Sequence, residues 1–278
     1  MVGRAGGTYP PCERSYRGMK LRLMTYNVHR CVGTDRDLDV ERVAEVIADC
    51  QPDIVALQEL DVGRARTRGV DQAHRLAELL GMRSRFHAAM HVAEEQYGDA
   101  ILTALPERVV RAGALPTYPR VRGLEPRGAL WVAVDLGGGL ELQVINTHLG
   151  LVPREQQLQA AALLGEDWML SDAFQAPAVL LGDFNATPFS QTYRMLHAAM
   201  RDAQVGAKRP PTATFPSRFP FMRIDHVFLA GEIEVAGIFS PYDARARVAS
   251  DHLPLCVDLE ITGLADRERG AAGAGYPA

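Results

Sequence analysis

Lysine is scarce in this chain. Of its 30 basic residues only Lys20 and Lys208 are lysines, and the rest are arginine. With 25 glycines and 17 prolines alongside, that skew reads as genome-wide codon bias ahead of any selection for phosphate contacts. A basic excess is missing too: the formal net charge is −4, whereas a sequence-nonspecific nucleic-acid binder carries a strong positive surplus. Nucleic acid is therefore an open but disfavoured partner. No apolar run approaches the roughly 20 residues that span a bilayer. Residues 1–17 lack the apolar stretch of a secretory signal, and Cys12 lacks the one that precedes a lipid-anchored cysteine. The four cysteines, Cys12, Cys31, Cys50 and Cys256, show no zinc-type or redox-type spacing. A reducing, cytoplasmic setting is the simpler expectation, with the periplasm left open.

What is present suits a folded domain. Hydrophobic residues make up 47% of the chain against 23% charged, enough for a sizeable core. Residues 1–19 and 263–278 are rich in Gly, Ala, Pro and Arg without periodicity and are expected to be loosely ordered. Met19 is an alternative start, directly before the first strand. Residues 20–262 read as one domain, with no solenoid repeat, and the protein is expected to be a monomer.

Leu21 to Tyr26 alternate apolar and polar, as in a half-buried strand. Asp39 caps a helix with Val43, Val46, Ile47 and Cys50 inward, stopped before Pro52. Ile54 to Leu57 form a short apolar strand. Asp71 caps a second helix that Gly81 closes. Two runs, 130–134 and 140–144, flank Gly137 to Gly139 as a hairpin. Pro153 opens a helix towards Leu170, residues 178–181 form another buried strand, and Ser190 starts a short helix. Residues 224–229 and 255–259 supply the last strands. Strands outnumber helices, which predicts two packed sheets with helices outside.

Polar clusters sit at the ends of these apolar runs in a fixed order. They are Thr25-Tyr26-Asn27, Leu57-Gln58-Glu59, Asn146-Thr147-His148, Gly182-Asp183-Phe184-Asn185, Arg223-Ile224-Asp225-His226 and Ser250-Asp251-His252. Alone, Gly-Asp-Phe-Asn is an ordinary turn. Together the clusters carry the groups that hold a hard divalent cation and deliver water to a phosphate.

Their order and spacing resemble the endonuclease/exonuclease/phosphatase superfamily, over roughly residues 20–260. Its members include pancreatic-type deoxyribonuclease, apurinic/apyrimidinic endonucleases, inositol polyphosphate 5-phosphatases and neutral sphingomyelinases. The runs 25–30, 125–130 and 214–218 look like a small bacterial branch of metal-dependent hydrolases. The resemblance implies a four-layered α/β-sandwich, with two packed mixed or antiparallel sheets flanked by helices. It implies Mg²⁺ or Mn²⁺ at Glu59, with Asn27 supporting and Asp251 nearby, since such cations take one or two protein carboxylates and keep several waters. It further implies that Asp183 activates the attacking water while Asn185 donates to water or a phosphate oxygen. His252 and Asp225 resemble the family's His-Asp pair, in which the carboxylate fixes the imidazole tautomer. His148 stands where a phosphate-bonding His or Tyr is found, with Glu95 as a loosely aligned acidic partner. Arg127 resembles a phosphate-clamping arginine, a surface salt bridge being the alternative. His226 is expected to be structural.

Two departures stand out. Asp99 replaces a common Asn, adding a carboxylate near the phosphate site. Asp61 stands where secreted deoxyribonucleases carry a basic residue for the minor groove. Arg64, Arg66 and Arg68 alternate, which on extended backbone turns all three to one side, either as a solvated charge run or as a collar for an anionic substrate. The expected function is a divalent-metal-dependent phosphoesterase acting on a phosphodiester or phosphomonoester by in-line attack of water. A nuclease acting on DNA and a non-catalytic binding module on the same scaffold remain the alternatives.

Overall fold

The computed structural model describes residues 19–92, 95–206 and 211–261. The terminal segments expected to be loose fall, apart from Met19, outside the described residues, as do Cys12 and Lys208. The strands in chain order are β1 (Met19–Asn27), β2 (Ile54–Val62), β3 (Arg83–Val92), β4 (Glu95–Thr103), β5 (Glu107–Ala114) and β6 (Gly128–Asp135). They continue with β7 (Glu141–His148), β8 (Ala178–Asp183), β9 (Arg201–Asp202), β10 (Asp225–Ala230), β11 (Ile233–Phe239) and β12 (Leu255–Ile261). The α-helices are α1 (Val40–Cys50), α2 (Gln72–Leu80), α3 (Pro153–Leu163), α4 (Gln191–Ala199) and α5 (Ala246–Ala249).

These strands form two mixed sheets of six, ordered β11-β12-β1-β2-β4-β3 and β5-β6-β7-β8-β10-β9. Each sheet has one parallel pair at its heart, β1 with β2 and β7 with β8. The period-2 alternation read in β1 sorts its side chains between two cores. Leu21 and Leu23 point between the sheets, where they meet Ile54, Val144, Leu181 and Val257. Met24 and Tyr26 point outward onto α1 and α2, against Val43, Ile47 and Leu76. The second sheet turns Trp131, Ile145, Leu180 and Phe228 outward onto Leu163 of α3 and Leu196 of α4. The result is the four-layered α/β-sandwich anticipated from the sequence.

The helix starts follow the sequence closely. Asp39, Asp71 and Ser190 accept from Arg42 N, His74 N and Tyr193 N respectively, the N-cap role these short side chains fill best. Gly81 closes α2 with φ 64°, in the left-handed region. The helix opened by Pro153 ends at Leu163 rather than near Leu170. Gly165 weakens continuation, Glu166 and Asp167 oppose the negative helix end, and the chain folds back through Trp168 N to Gly165 O so that Trp168 is buried.

Candidate active site

The parallel pairs end at the same margin of the sandwich, and the site residues lie there. Asn27 closes β1, His148 closes β7 and Asp183 closes β8. β10 runs antiparallel to β8 with Asp225 opposite Asp183, so its first residue meets β8's last. β12 is antiparallel to β1, which brings Asp251 and His252, just before it, to the same end. Beneath the site the sheets are tied by buried amides. Gln58 Nε2 donates to Asn146 Oδ1 at 2.7 Å, while Asn146 Nδ2 donates to the Leu57 and Ala100 carbonyls at 2.9 Å each. Asn146 is therefore a brace between sheets.

Glu59 leaves the ladder at a bulge. The β2–β4 register shifts between Leu57 and Leu60, and Glu59 takes φ 62°, a conformation that costs energy in a residue bearing a Cβ. That break turns the carboxylate into the cleft. Asn27 Nδ2 donates both to Glu59 Oε1 and to Asp183 Oδ2, each at 3.0 Å, and Asn27 Oδ1 accepts from His29 N. One amide thus spaces two carboxylates, and its orientation is fixed because both need a donor.

Asp183 is the hub. Its Oδ1 accepts from Asn185 N at 2.9 Å. Its Oδ2 lies 3.5 Å from His148 Nε2 and 3.6 Å from His252 Nε2. Burial raises this carboxyl to about 7, with His252 pulling it down and Asp225 pushing it up. His252 donates from Nδ1 to Asp225 Oδ2 at 2.9 Å, and Thr214 Oγ1 donates to the same oxygen. Burial alone would discharge this imidazole, but the Asp225 and Asp183 carboxylates outweigh it and raise it to about 10. The Phe215 ring lies 4.7 Å from the imidazole. Donor atoms of Asp183, Asp225 and His252 fall within 4.8 Å of one another.

His148 has the opposite charge state. Arg127 Nη1 approaches its Nδ1 at 3.1 Å, and a guanidinium can only donate. With Nδ1 accepting from that charged donor, the ring proton sits on Nε2 towards Asp183, and the Asn185 amide nitrogen, itself a donor, makes no hydrogen bond to the ring in this tautomer. Burial holds the ring well below its ordinary value, with like charge from Arg127 and His252 adding to the effect. Asn185, at φ 49°, donates from Nδ2 to the Leu149 carbonyl and lies 3.1 Å from His148 Nε2. Arg127 is itself buried and ion-paired to Glu125 at 2.6 Å.

All nine residues singled out from the sequence converge. Glu59, Arg127, His148, Asp183, Asn185, Asp251 and His252 line a cleft of about 530 Å³. Asn27 sits between two of them and Asp225 stands behind His252. A larger groove of about 880 Å³ lies along β9 and β11 and gathers none of these groups. Glu95 is no partner of His148: it accepts from Arg64 Nε and Ala65 N. The collar of Arg64, Arg66 and Arg68 does not form, because residues 65–67 make a 3₁₀ turn that breaks the alternation. Arg66 alone reaches the cleft, and Asp61 neutralises it with two bonds of 2.7 Å. Asp61 is fully buried in that role, so no side chain at this position projects outward. Burial lifts Asp99 to about 8, with Arg127 opposing, so much of its carboxyl stays neutral near pH 7 and adds little repulsion.

Sequence reasoning missed Arg30, Tyr97, Leu151, Phe215 and Met222, which also line the cleft. Arg30 carries the most chemistry. It sits on the turn His29–Cys31, where three successive residues have positive φ of 44°, 57° and 53°. No glycine marks the turn, so only its place three residues after Asn27 hinted at a role. Among the described residues no carboxylate lies within ion-pair distance of Arg30, which donates to His29 Nε2 and leaves Nε unpartnered.

The chain matches the Endonuclease/Exonuclease/phosphatase family over residues 24–252, and belongs to it. It is 24% identical over 251 residues to the uncharacterized Escherichia coli K12 protein YbhP, covering 86% of this chain and 96% of that one. An endonuclease/exonuclease/phosphatase from Beutenbergia cavernae superposes with a TM-score of 0.66 at 26% identity, over 88% of this chain and 72% of that one. A mannosyl-6-phosphatase of Bacteroides thetaiotaomicron shares the fold at TM-score 0.69 and 20% identity, over 86% and 99%. Members of the family are generally phosphoesterase hydrolases and typically depend on a divalent metal.

Proposed function

We propose that this protein hydrolyses a phosphate ester, diester or monoester, by in-line attack of a water molecule activated at Asp183. The observation that carries the reading is the position of Asp183. It lies within 3.6 Å of two imidazole Nε2 atoms and is joined through Asn27 to the carboxylate Glu59.

The cation site fits a hard ion. Glu59 and Asp251 both line the cleft, and their partners are few: one bond from Asn27 to Glu59, and for Asp251 a donor at Ser250 Oγ at 3.4 Å and His29 Nδ1 at 3.6 Å. Two carboxylates with room for water suit Mg²⁺ or Mn²⁺. When bound, such an ion neutralises charge on the phosphoryl oxygens and leaving group. In the cluster of Asp183, Asp225 and His252, Asp225 Oδ2 is taken by His252 and Thr214 while its Oδ1 is buried without a partner, and we assign the cluster to proton handling.

The chain's own residues supply the remaining steps. Asp183 takes a proton from water as the water oxygen bonds to phosphorus and the bond to the leaving alkoxide breaks. His252, cationic and held by Asp225, donates from Nε2 to a phosphoryl oxygen as charge builds there. His148 donates from Nε2, and Arg127 Nη1, donating to its Nδ1, holds the ring in place. Arg30, with no carboxylate within ion-pair distance among the described residues, and Arg127 bind the remaining phosphate oxygens. Buried thiols at Cys31, Cys50 and Cys256 are consistent with work in a reducing compartment such as the cytoplasm.

Replacing the base tests this. Asp183→Asn should keep its fold by circular dichroism and lose about 10²–10⁴-fold in turnover of bis-p-nitrophenyl phosphate or p-nitrophenyl phosphate. Undiminished turnover in that variant would remove Asp183 from the role.

A further inference from the structure

Four large apolar side chains stand out of the surface further than any other among the described residues: Phe189 at 87% exposure, Phe219 at 76%, Phe221 at 74% and Leu151 at 73%. All four belong to loops at the catalytic margin. Leu151 follows β7 and lines the cleft itself. Phe189 follows β8, four residues beyond Asn185. Phe219 and Phe221 ride on a loop closed by the bridge between Phe215 and Met222, both of which line the cleft. Since β7 and β8 are parallel and β10 runs against β8, the loops after β7, after β8 and before β10 must emerge on one side. Folding does not bury these residues, so their exposure at one rim calls for another explanation.

Charge on the second sheet's side of this rim is as uneven, whereas the first sheet's loops carry Asp35, Asp37, Asp243 and Asp251. In a chain of net charge −4, residues 115–127, 149–152, 184–190 and 211–224 hold a single carboxylate, Glu125, and Arg127 neutralises it. Beside the protruding side chains lie exposed Arg154, Arg194 and Arg218, none with a carboxylate within ion-pair distance among the described residues. Several exposed arginines elsewhere are paired, as Arg75 is with Glu41 and Arg108 with Glu141, although Arg36, Arg68 and Arg201 also lack a carboxylate within ion-pair distance among the described residues. Apolar tips flanked by unpaired cations match an anionic lipid surface, whose phosphates attract arginine and whose acyl boundary accepts Phe and Leu. A nucleic-acid single strand would also favour rings and arginine, but Leu151 offers no face for stacking and the rings stand on separate loops.

We propose that this rim docks the protein on an anionic lipid surface, presenting the cleft to phosphate esters held in that surface. The second clause rests on the phosphoesterase reading; the docking does not. The test is sedimentation of the full chain with vesicles of phosphatidylcholine alone and with added phosphatidylglycerol, in EDTA so that no turnover intervenes. The parent should sediment with the anionic vesicles and weakly with the neutral ones. Phe219→Ser/Phe221→Ser, checked for fold by circular dichroism, should lose at least about tenfold in vesicle affinity, and Arg154→Gln/Arg218→Gln should lose the preference for the anionic lipid. Both variants should keep the parent's rate on bis-p-nitrophenyl phosphate if it is hydrolysed, which separates failure of docking from failure of the catalytic reading. Equal vesicle affinity in parent and variants would overturn the proposal. So would its replacement by tight binding to a thymidine oligonucleotide, or a parent dimer in sedimentation velocity that the Phe variant abolishes.

Discussion

At the residue scale the cleft is framed by backbone that resists its own sequence. His29, Arg30, Cys31, Glu59 and Asn185 all have positive φ without being glycine. The turn at residues 29–31 is held by Cys31 N to Val28 O, Val32 N to His29 O, and Gln72 Nε2 donating to Arg30 O at 2.6 Å. Each left-handed residue with a Cβ costs about 1–2 kcal/mol. Glycine would remove that cost at Arg30 while adding about 0.5–1 kcal/mol of unfolded-state entropy. Arg30→Gly should therefore melt no lower than the parent, since the Gln72 bond is to the backbone. It should also raise KM severalfold with kcat nearly kept, the pattern of lost binding rather than lost chemistry. An unchanged KM would show that Arg30 does not touch the substrate.

At the element scale β8 illustrates how a strand aims a candidate catalytic group. Gly182 has φ 149° and lies so close to β7 that a Cβ there would overlap the Thr147 carbonyl. That closeness puts Asp183 opposite His148 in register. Gly182→Ala must push the two strands apart just where Asp183 and His148 meet. Turnover should fall at least about tenfold, since small displacements of catalytic groups are costly, with a lowered melting temperature. Parent-like activity would mean that the β7–β8 spacing is not what positions Asp183.

Most elements were visible in the sequence, clearest among them those with a buried run and a marked end: the strands ending in Asn27, His148 and Asp183, and the helices behind Asp39, Asp71 and Ser190. Strand β5 was not visible, because as a sheet edge it shows solvent to much of both faces and carries no clean alternation. Strands β3 and β11 are edges as well, and β9 is only two residues long. The arginines after Glu59 looked extended because nothing in residues 64–68 announces a 3₁₀ turn. Its cause is tertiary: Asp61, buried, gathers Arg66 and Thr67 around itself.

At the scale of the whole molecule the site exists only because two sheets pack. Asn27, Glu59, Asp251 and His252 come from the first sheet and its connections, while His148, Asp183, Asn185 and Asp225 come from the second. The bonds that join the halves, Asn27 to Asp183 and Gln58 to Asn146, are buried and cross between sheets. The kinds of side chain needed were legible in order along the chain, but their division between sheets was not, since it depends on strand order rather than on any local pattern. The same division separates the acids proposed to face the cation, Glu59 and Asp251, from the proposed base, Asp183. The most direct test is the initial rate of bis-p-nitrophenyl phosphate hydrolysis by the full chain, measured in Mg²⁺, in Mn²⁺ and in EDTA. Turnover should appear with either ion, vanish in the chelator and return when the ion is restored, with Glu59→Gln needing at least about tenfold more ion. Full turnover in EDTA, or a Glu59→Gln variant indistinguishable from the parent across the ion titration, would contradict the account.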